Sequence, residues 1–367
     1  MNAVLITGFP AIQARKLLEC ILLRENETPV YVVILKQLMT RARRALDALD
    51  DEQRRRVRVL DGDAAALDMG LSGSEYRELA GSVTRIHHVA HVSYVGVERE
   101  VAEYANIRGA VEAVELARSC DRIDCLVHHS TAYVSGDRTG TVFEDELDEG
   151  QSFHNIVQET RMKGELVMRR AMDEVPVAVL RPTLLVGDSV TGEADRFDGP
   201  YLLVMRILGL PGDMALPLPR PATNPIDIVP VDYVVKAAHW IGRRDDVAGR
   251  TFHLTSAEQL TAQEVFDLVA KVGGHRTARS YIPARVARAV LATPGIERLL
   301  REPHALMQQL SSKARYDTRH ARRVLADSEL SCPPLTSYID TWVTAVQEHM
   351  RERREEYVQK DVDDPLY

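Results

Sequence analysis

The chain has 367 residues, 45% of them hydrophobic, which is enough for one large core or two smaller ones. Its 46 Lys and Arg stand against 54 Asp and Glu, a net charge of −8, which argues against a nucleic-acid partner because phosphates call for a basic surface. No apolar run approaches the roughly 18 residues a membrane span needs, so no membrane span is expected.

In chain order the segments alternate between strand and helix patterns. "AVLITG" (3–8) is an apolar run stopping at a glycine, and "IQARKLLECILLRE" (12–25) follows with helical spacing. Then come "PVYVVIL" (29–35), an Arg/Ala-rich helix over 40–48, "VRVLDGD" (57–63) and "RIHHVAH" (85–91). The helix "NIRGAVEAVELARS" (106–119), the strand "DCLVHHST" (124–131), a helix through 157–173 and "VPVAVLRPTLLVG" (175–187) complete the series. Buried parallel strands read as continuous apolar runs, and helices between them imply right-handed crossovers. Segments 3–8, 29–35, 57–60, 84–89, 124–129 and 176–181 are therefore predicted to be adjacent parallel strands of one sheet.

The predicted fold is α/β, a Rossmann-type doubly wound parallel sheet with a smaller, mainly helical C-terminal cap. Residues 1–187 form the nucleotide-binding domain, to which "IDIVPVDYVV" (226–235) and "TFHLTS" (251–256) are expected to return. Residues 188–225 and 257–367 form the cap, with helices at "AQEVFDLVAKVG" (262–273), "PARVARAVLA" (283–292), "GIERLLREPHALMQQL" (295–310) and "YIDTWVTAVQEHM" (338–350). Such a cap would shape a substrate pocket, although helices packing only on one another would give the same pattern. The four cysteines (Cys20, Cys120, Cys125, Cys332) show no metal spacing, and no signal peptide is apparent. Reduced thiols, a cytoplasmic location and no metal are the expectation, and a homodimer is left open.

The first chemical clue is "TGFPAIQA" (7–14), between the first strand and the first helix. A dinucleotide's pyrophosphate sits at such a place, on helix N–H groups. Only Gly8 remains of three expected glycines, with Ala11 and Ala14 in the other places, and an ordinary turn would explain this loop alone equally well.

Further stretches agree with that clue: "DGD" (61–63), "HHVAH" (87–91), "YANIRGA" (104–110), "HHSTAYVSG" (128–136), "LRPTLLVGDSVTGEADRFDGP" (180–200) and "IDIVPVDYVV". In this order the set resembles the extended short-chain dehydrogenase/reductase superfamily. "TGFP", "STAYVSG", "GDSVTGE" and "CPPLTSYID" (332–340) are similar to its branch of thioester-reductase and fatty-acyl-reductase-like proteins. The resemblance implies roles. Thr7, Gly8, Phe9, Pro10, Ala11 and Ile12 would line the pyrophosphate, Asp63 and Ala64 the adenine, and Val89, Ala90 and His91 the adenosine side. Asn106 would brace the active-site helix, and Pro182, Thr183 and Leu184 would touch the nicotinamide. At the end of the second strand an acid would hold a ribose hydroxyl, whereas a base accepts a 2′-phosphate. "VVILKQ" (32–37) has no acid but carries Lys36, so NADP is favoured and NAD remains admissible.

The same resemblance exposes a gap. The superfamily's helix reads Tyr-x-x-x-Lys, and here Val157 and Arg161 hold those places, with Thr160, Gly164 and Glu165 in register. In such enzymes the phenol protonates the carbonyl oxygen, and the lysine lowers the phenol's pKa while holding the ribose. Valine does neither; arginine can hold the ribose but is a poor proton donor. Ser130 and Thr131 can still hydrogen-bond a substrate oxygen. Tyr133, Tyr94, His91, His128, His129 and His154 are substitutes to weigh, with packing roles the plainer reading of each. The expected function is atypical NAD(P)-dependent carbonyl or carbinol redox on a small, hydrophobic or thioester-derived metabolite, carried by Ser130, Thr131, Tyr133 and Arg161. The competing readings are a non-redox isomerase, cyclase or lyase, and a non-catalytic nucleotide-binding protein.

Overall fold

The structure, a computed structural model, describes residues 2–94, 96–209, 218–219, 225–258, 260–275, 281–282 and 313–363. Seven strands make the main sheet: β1 (Ala3–Ile6), β2 (Val30–Ile34), β3 (Val57–Asp61), β4 (Val83–His88), β5 (Cys125–His129), β6 (Val177–Pro182) and β7 (Arg250–Leu254). They lie in the order β3-β2-β1-β4-β5-β6-β7, and every neighbouring pair is parallel. The six expected strands are all present, and β7 adds the return that "TFHLTS" announced.

Parallel strands covered on both faces need apolar residues at successive positions, and β1, β2 and β6 are buried along their whole length. Leu5, Ile86, Leu126, Val177 and Val179 pack with Leu79 and Leu116 into one core on one face of the sheet. The order reverses between β1 and β4, each of which starts a run of strands in the opposite direction. At such a switch point a crevice opens beyond the carboxyl ends of the strands, and nucleotides bind there.

Helix α1 (Ile12–Arg24) follows β1. Helix α2 (Arg99–Glu103) passes through a π-helical turn at Tyr104–Arg108 into α3 (Gly109–Ser119). The helix thus opens before Asn106, which lies in its middle rather than at its start. Helix α4 (Ile156–Arg170) begins at Asn155, whose side chain accepts from the Gln158 N–H at 3.0 Å and caps the first turn.

Two expected assignments are corrected. Residues 226–235 do not join the main sheet: Ile228–Pro230 is a short strand, and helix α5 (Val231–Ile241) takes over at once. Val231, Val234, Val235 and Ala238 recur at helical spacing and are buried, and the Lys236–Asp232 ion pair spans one turn at 3.1 Å. The chain divides into two compact units, one of residues 1–185, 231–255 and 314–332, the other of 186–230, 256–313 and 333–367. Residues 314–332, expected in the cap, thus belong to the first unit. Glu144, fully buried, holds part of them by accepting from the N–H groups of His320 at 2.6 Å and Ala321 at 3.1 Å.

The second unit carries the helices Pro200–Leu208, Ala262–Val272 and Ile339–Asp363. Thr261 and Glu264 close a reciprocal cap on the second of these. Tyr201 meets Trp342 edge-on at 5.7 Å, and Phe197 stacks on His349 at 3.8 Å. The helices expected at 283–292 and 295–310 lie outside the described residues. No helix among the described residues is long and apolar enough to cross a membrane.

Candidate active site

Gly8 leaves β1 with φ +83°, and a Cβ there would stand 2.8 Å from the Ala90 nitrogen. Only glycine lets the β1–α1 loop lie this close to the segment after β4. Thr7 closes the same contact, its Oγ1 accepting from the N–H groups of Val89 at 3.1 Å and Ala90 at 3.0 Å. With both lone pairs used, its hydroxyl proton points to His88 Nδ1 at 3.1 Å, which leaves the His88 proton on Nε2. Phe9 is buried, and Ala11 precedes the helix without a side-chain cap. The first turn of α1 carries no acid, so the positive helix end faces this loop uncompensated by a nearby carboxylate. Lys36 is exposed at the carboxyl end of β2, on the first residue of a short turn.

Asp63 is committed within the protein: its carboxylate accepts from the Ala65 N–H at 3.0 Å and from the Tyr104 hydroxyl at 2.9 Å. Ala64 beside it is buried. The link to Tyr104 was not legible in the sequence, because nothing local joins β3 to the π-helical turn.

Asn106 is the hub between the loop after β4 and helix α4. Its side-chain amide accepts from Val92 N–H at 2.8 Å and donates to Val92 C=O at 3.1 Å and to Thr160 Oγ1 at 2.8 Å. Gly164, one turn further along α4, allows the close approach, since a Cβ there would overlap the Asn106 carbonyl oxygen. Thus α4 is pressed against the π-helical turn at the turn of helix that bears Val157, Thr160 and Arg161.

Arg161 is buried, and its Nη2 donates to the His129 carbonyl at 2.8 Å. Its Nη1 is buried without a hydrogen-bond partner among the described residues. Burial pulls the guanidinium down to about 10, opposed by Glu165, so it stays charged at neutral pH. Around it the imidazoles of His88 and His129 are pushed down to about 3, and those of His91 and His128 well below the usual range. Burial is the main cause in each case, and the Arg161 charge adds to it. These histidines are neutral packing groups: His88 stacks on His128 at 5.6 Å, and Gln13 donates to His129 Nδ1 at 2.9 Å. Gln13 escaped the sequence reading because a glutamine in a helix ordinarily faces solvent.

Ser130 and Thr131 differ in their surroundings. Ser130 is buried and its hydroxyl donates to Glu165 Oε2 at 2.7 Å, so its proton points away from any substrate. Glu165 is fully buried and also accepts from Arg181 Nη2 at 2.7 Å and Arg169 Nε at 3.0 Å. Burial alone would raise its carboxyl, but the two arginines and Ser130 hold it down to about 2. Thr131 is half-buried at the end of β5, accepting from the Tyr133 N–H at 3.3 Å, and its hydroxyl donates to the Pro182 carbonyl at a long 3.5 Å. Tyr133 is half-buried in the turn that follows. Thr183, between Pro182 and Leu184, is buried and its N–H donates to the Leu254 carbonyl at 3.1 Å. His154, outside the strand ends, contributes its N–H to Gln158 Oε1 at 3.1 Å.

A glycine turn at the switch point, a helix N-terminus beside it and a buried cation near the end of β5 suit a dinucleotide site. The class so defined is the extended branch of the short-chain dehydrogenases/reductases. Residues 6–238 match the model of the NAD-binding family described as "Male sterility protein", and the chain belongs to that family. A nicotinamide cofactor is indicated by that membership. Among curated proteins the chain is similar to the nonribosomal peptide synthetase asaC of Aspergillus flavus. The two are 26% identical over 317 residues, covering 78% of this chain and 30% of that protein. It is also similar to the fatty acyl-CoA reductase wat of Drosophila melanogaster, 24% identical over 217 residues, 52% of this chain and 41% of that protein. The chain therefore matches less than half of either relative's length. Among solved structures, the terminal R domain of the myxalamid PKS-NRPS biosynthetic pathway superposes with a TM-score of 0.76. Its identity is 23%, with 95% of this chain and 91% of that one covered, a likeness of fold.

Proposed function

We propose that the protein is an NADPH-dependent reductase of a hydrophobic carbonyl compound or of an acyl thioester, acting in secondary metabolism. The observation that supports this most is Arg161, a charged guanidinium buried at the ends of β4 and β5 with one donor unmet, in the helical place of the superfamily's lysine. The relatives' names, a peptide synthetase and an acyl-CoA reductase, point to thioester-derived acyl groups as the substrate class.

In this reading the loop Thr7–Gly8–Phe9–Pro10–Ala11–Ile12 holds the pyrophosphate on backbone N–H groups. Lys36 meets the 2′-phosphate, Asp63 and Ala64 flank the adenine, and Val89, Ala90 and His91 line the adenosine side. Arg161 Nη1 donates to the nicotinamide ribose, and Pro182, Thr183 and Leu184 border the ring. When bound, the nicotinamide supplies a hydride to the carbonyl carbon. Thr131 donates a hydrogen bond to the carbonyl oxygen, Tyr133 borders the same turn, and Ser130 acts through Glu165 as a positioning group.

The competing reading is a non-redox isomerase, cyclase or lyase. It draws on Val157, which is buried in an apolar cluster with Val97 and Ala102, as the wall of a remodelled pocket would be. Calorimetric titration with NADPH and NADH, followed by NADPH consumption on a panel of long-chain aldehydes and acyl-CoA thioesters, separates the two. Tighter NADPH binding with turnover supports the reductase. NADPH binding with no consumption across the panel favours the non-redox reading, and no binding of either nucleotide refutes the reductase and leaves a non-redox enzyme with a vestigial nucleotide site.

A further inference from the structure

Val157 stands where the superfamily's helix carries its phenol, and the ring of Tyr94 packs on the apolar cluster that buries Val157, together with Val92 and Ile156. Tyr94 is half-buried. Two residues before it, Val92 is clamped through both its N–H and its C=O by the Asn106 amide, and the same amide donates to Thr160. One buried side chain therefore ties the segment bearing Tyr94 to the turn of α4 that bears Val157, Thr160 and Arg161. Valine at 157 is smaller than a tyrosine, and the ring of Tyr94 is among the groups packed on the cluster that holds it.

We propose that Tyr94 is the proton donor of this site, supplying from the loop after β4 the phenol that α4 lacks. The inference rests on the reductase reading. In the step it describes, the carbonyl carbon gains the hydride, the π electron pair moves to the oxygen, and the Tyr94 O–H bond breaks to protonate that oxygen. The carbonyl is reduced, the nicotinamide is oxidised, and the phenolate recovers its proton from solvent.

The test compares the full-length wild type with Tyr94→Phe, Tyr94→Ala and Tyr94→Ala/Val157→Tyr on one carbonyl substrate from the panel. Phenylalanine keeps the ring and its packing, so Tyr94→Phe should bind NADPH as the wild type does. Its kcat should fall by about 10²–10⁴-fold, the usual contribution of a general acid. Placing the phenol back on α4, in Tyr94→Ala/Val157→Tyr, should recover part of the turnover that Tyr94→Ala loses. That recovery would not follow if Tyr94 served packing alone. Unchanged kcat in Tyr94→Phe overturns the proposal and leaves the reductase intact. Loss of NADPH affinity in step with kcat also overturns it, because Tyr94 would then be a cofactor contact. A wild type that binds NADPH and consumes none on any substrate brings down the reductase reading itself.

Discussion

Replacing Glu165 by glutamine keeps the side chain's shape and removes its charge from a site with three cationic or hydroxyl donors. Glu165 accepts from Ser130, Arg169 and Arg181, and Arg181 is only 1% exposed. Its carboxyl, ordinarily at 4.5, is held down to about 2. That difference corresponds to about 3 kcal/mol of stabilisation. Breaking a buried ion pair by removing one partner costs about 3–5 kcal/mol, because the charge left behind has no counter-ion. Both routes place Glu165→Gln about 3–4 kcal/mol below the wild type at neutral pH. For a unit of this size the melting temperature should fall by about 10 °C. The sign of the pH dependence follows from the lowered folded pKa. The contribution is complete above the unfolded value near 4.5 and is lost as pH falls toward about 2. Thermal melts by circular dichroism from pH 7 down to pH 3 should thus show the gap between variant and wild type narrowing on acidification. A gap below about 1 kcal/mol at pH 7, or one that does not change with pH, would refute the role assigned to this carboxylate.

Two further outcomes follow from single contacts. Gly8→Ala must place a methyl group against the Ala90 and Val89 backbone at a positive φ; it should raise the Kd for NADPH by about tenfold or more, roughly 1.4 kcal/mol, in calorimetric titration. Asn106→Ala removes three hydrogen bonds at once and should cost about 2–4 kcal/mol in urea unfolding, with kcat falling more than NADPH affinity, because Tyr94 and α4 lose their common tie.

The main sheet was legible in the sequence for a physical reason. A parallel strand buried on both faces must be apolar at nearly every position, so "AVLI", "VYVVI" and "VAVL" announce themselves. The same density of apolar residues misled at 226–235. A buried helix such as α5 also reads as a continuous apolar run, and only the register of Val231, Val234, Val235 and Ala238 tells them apart. The register of helix α4 rests on the sequence alone, where Thr160, Gly164 and Glu165 set the frame from which the missing phenol at Val157 is proposed.

The sequence alone therefore specified the sheet and the glycine turn that follows its first strand. Which side chains meet across distant segments was settled by the packing of the whole fold. Sequence spacing ranks Ser130 and Thr131 alike, yet packing commits Ser130 to Glu165 and leaves Thr131 half-buried at the strand end. Asn106 looked like the start of a helix and proved to be the tie between the loop after β4 and α4. Tyr94 and Val157 are remote in the chain and share one apolar cluster. Hydrophobic periodicity carries the direction in which a single element faces, but a hydrogen bond or contact between two elements depends on how both are placed, and that placement is set by the whole core at once.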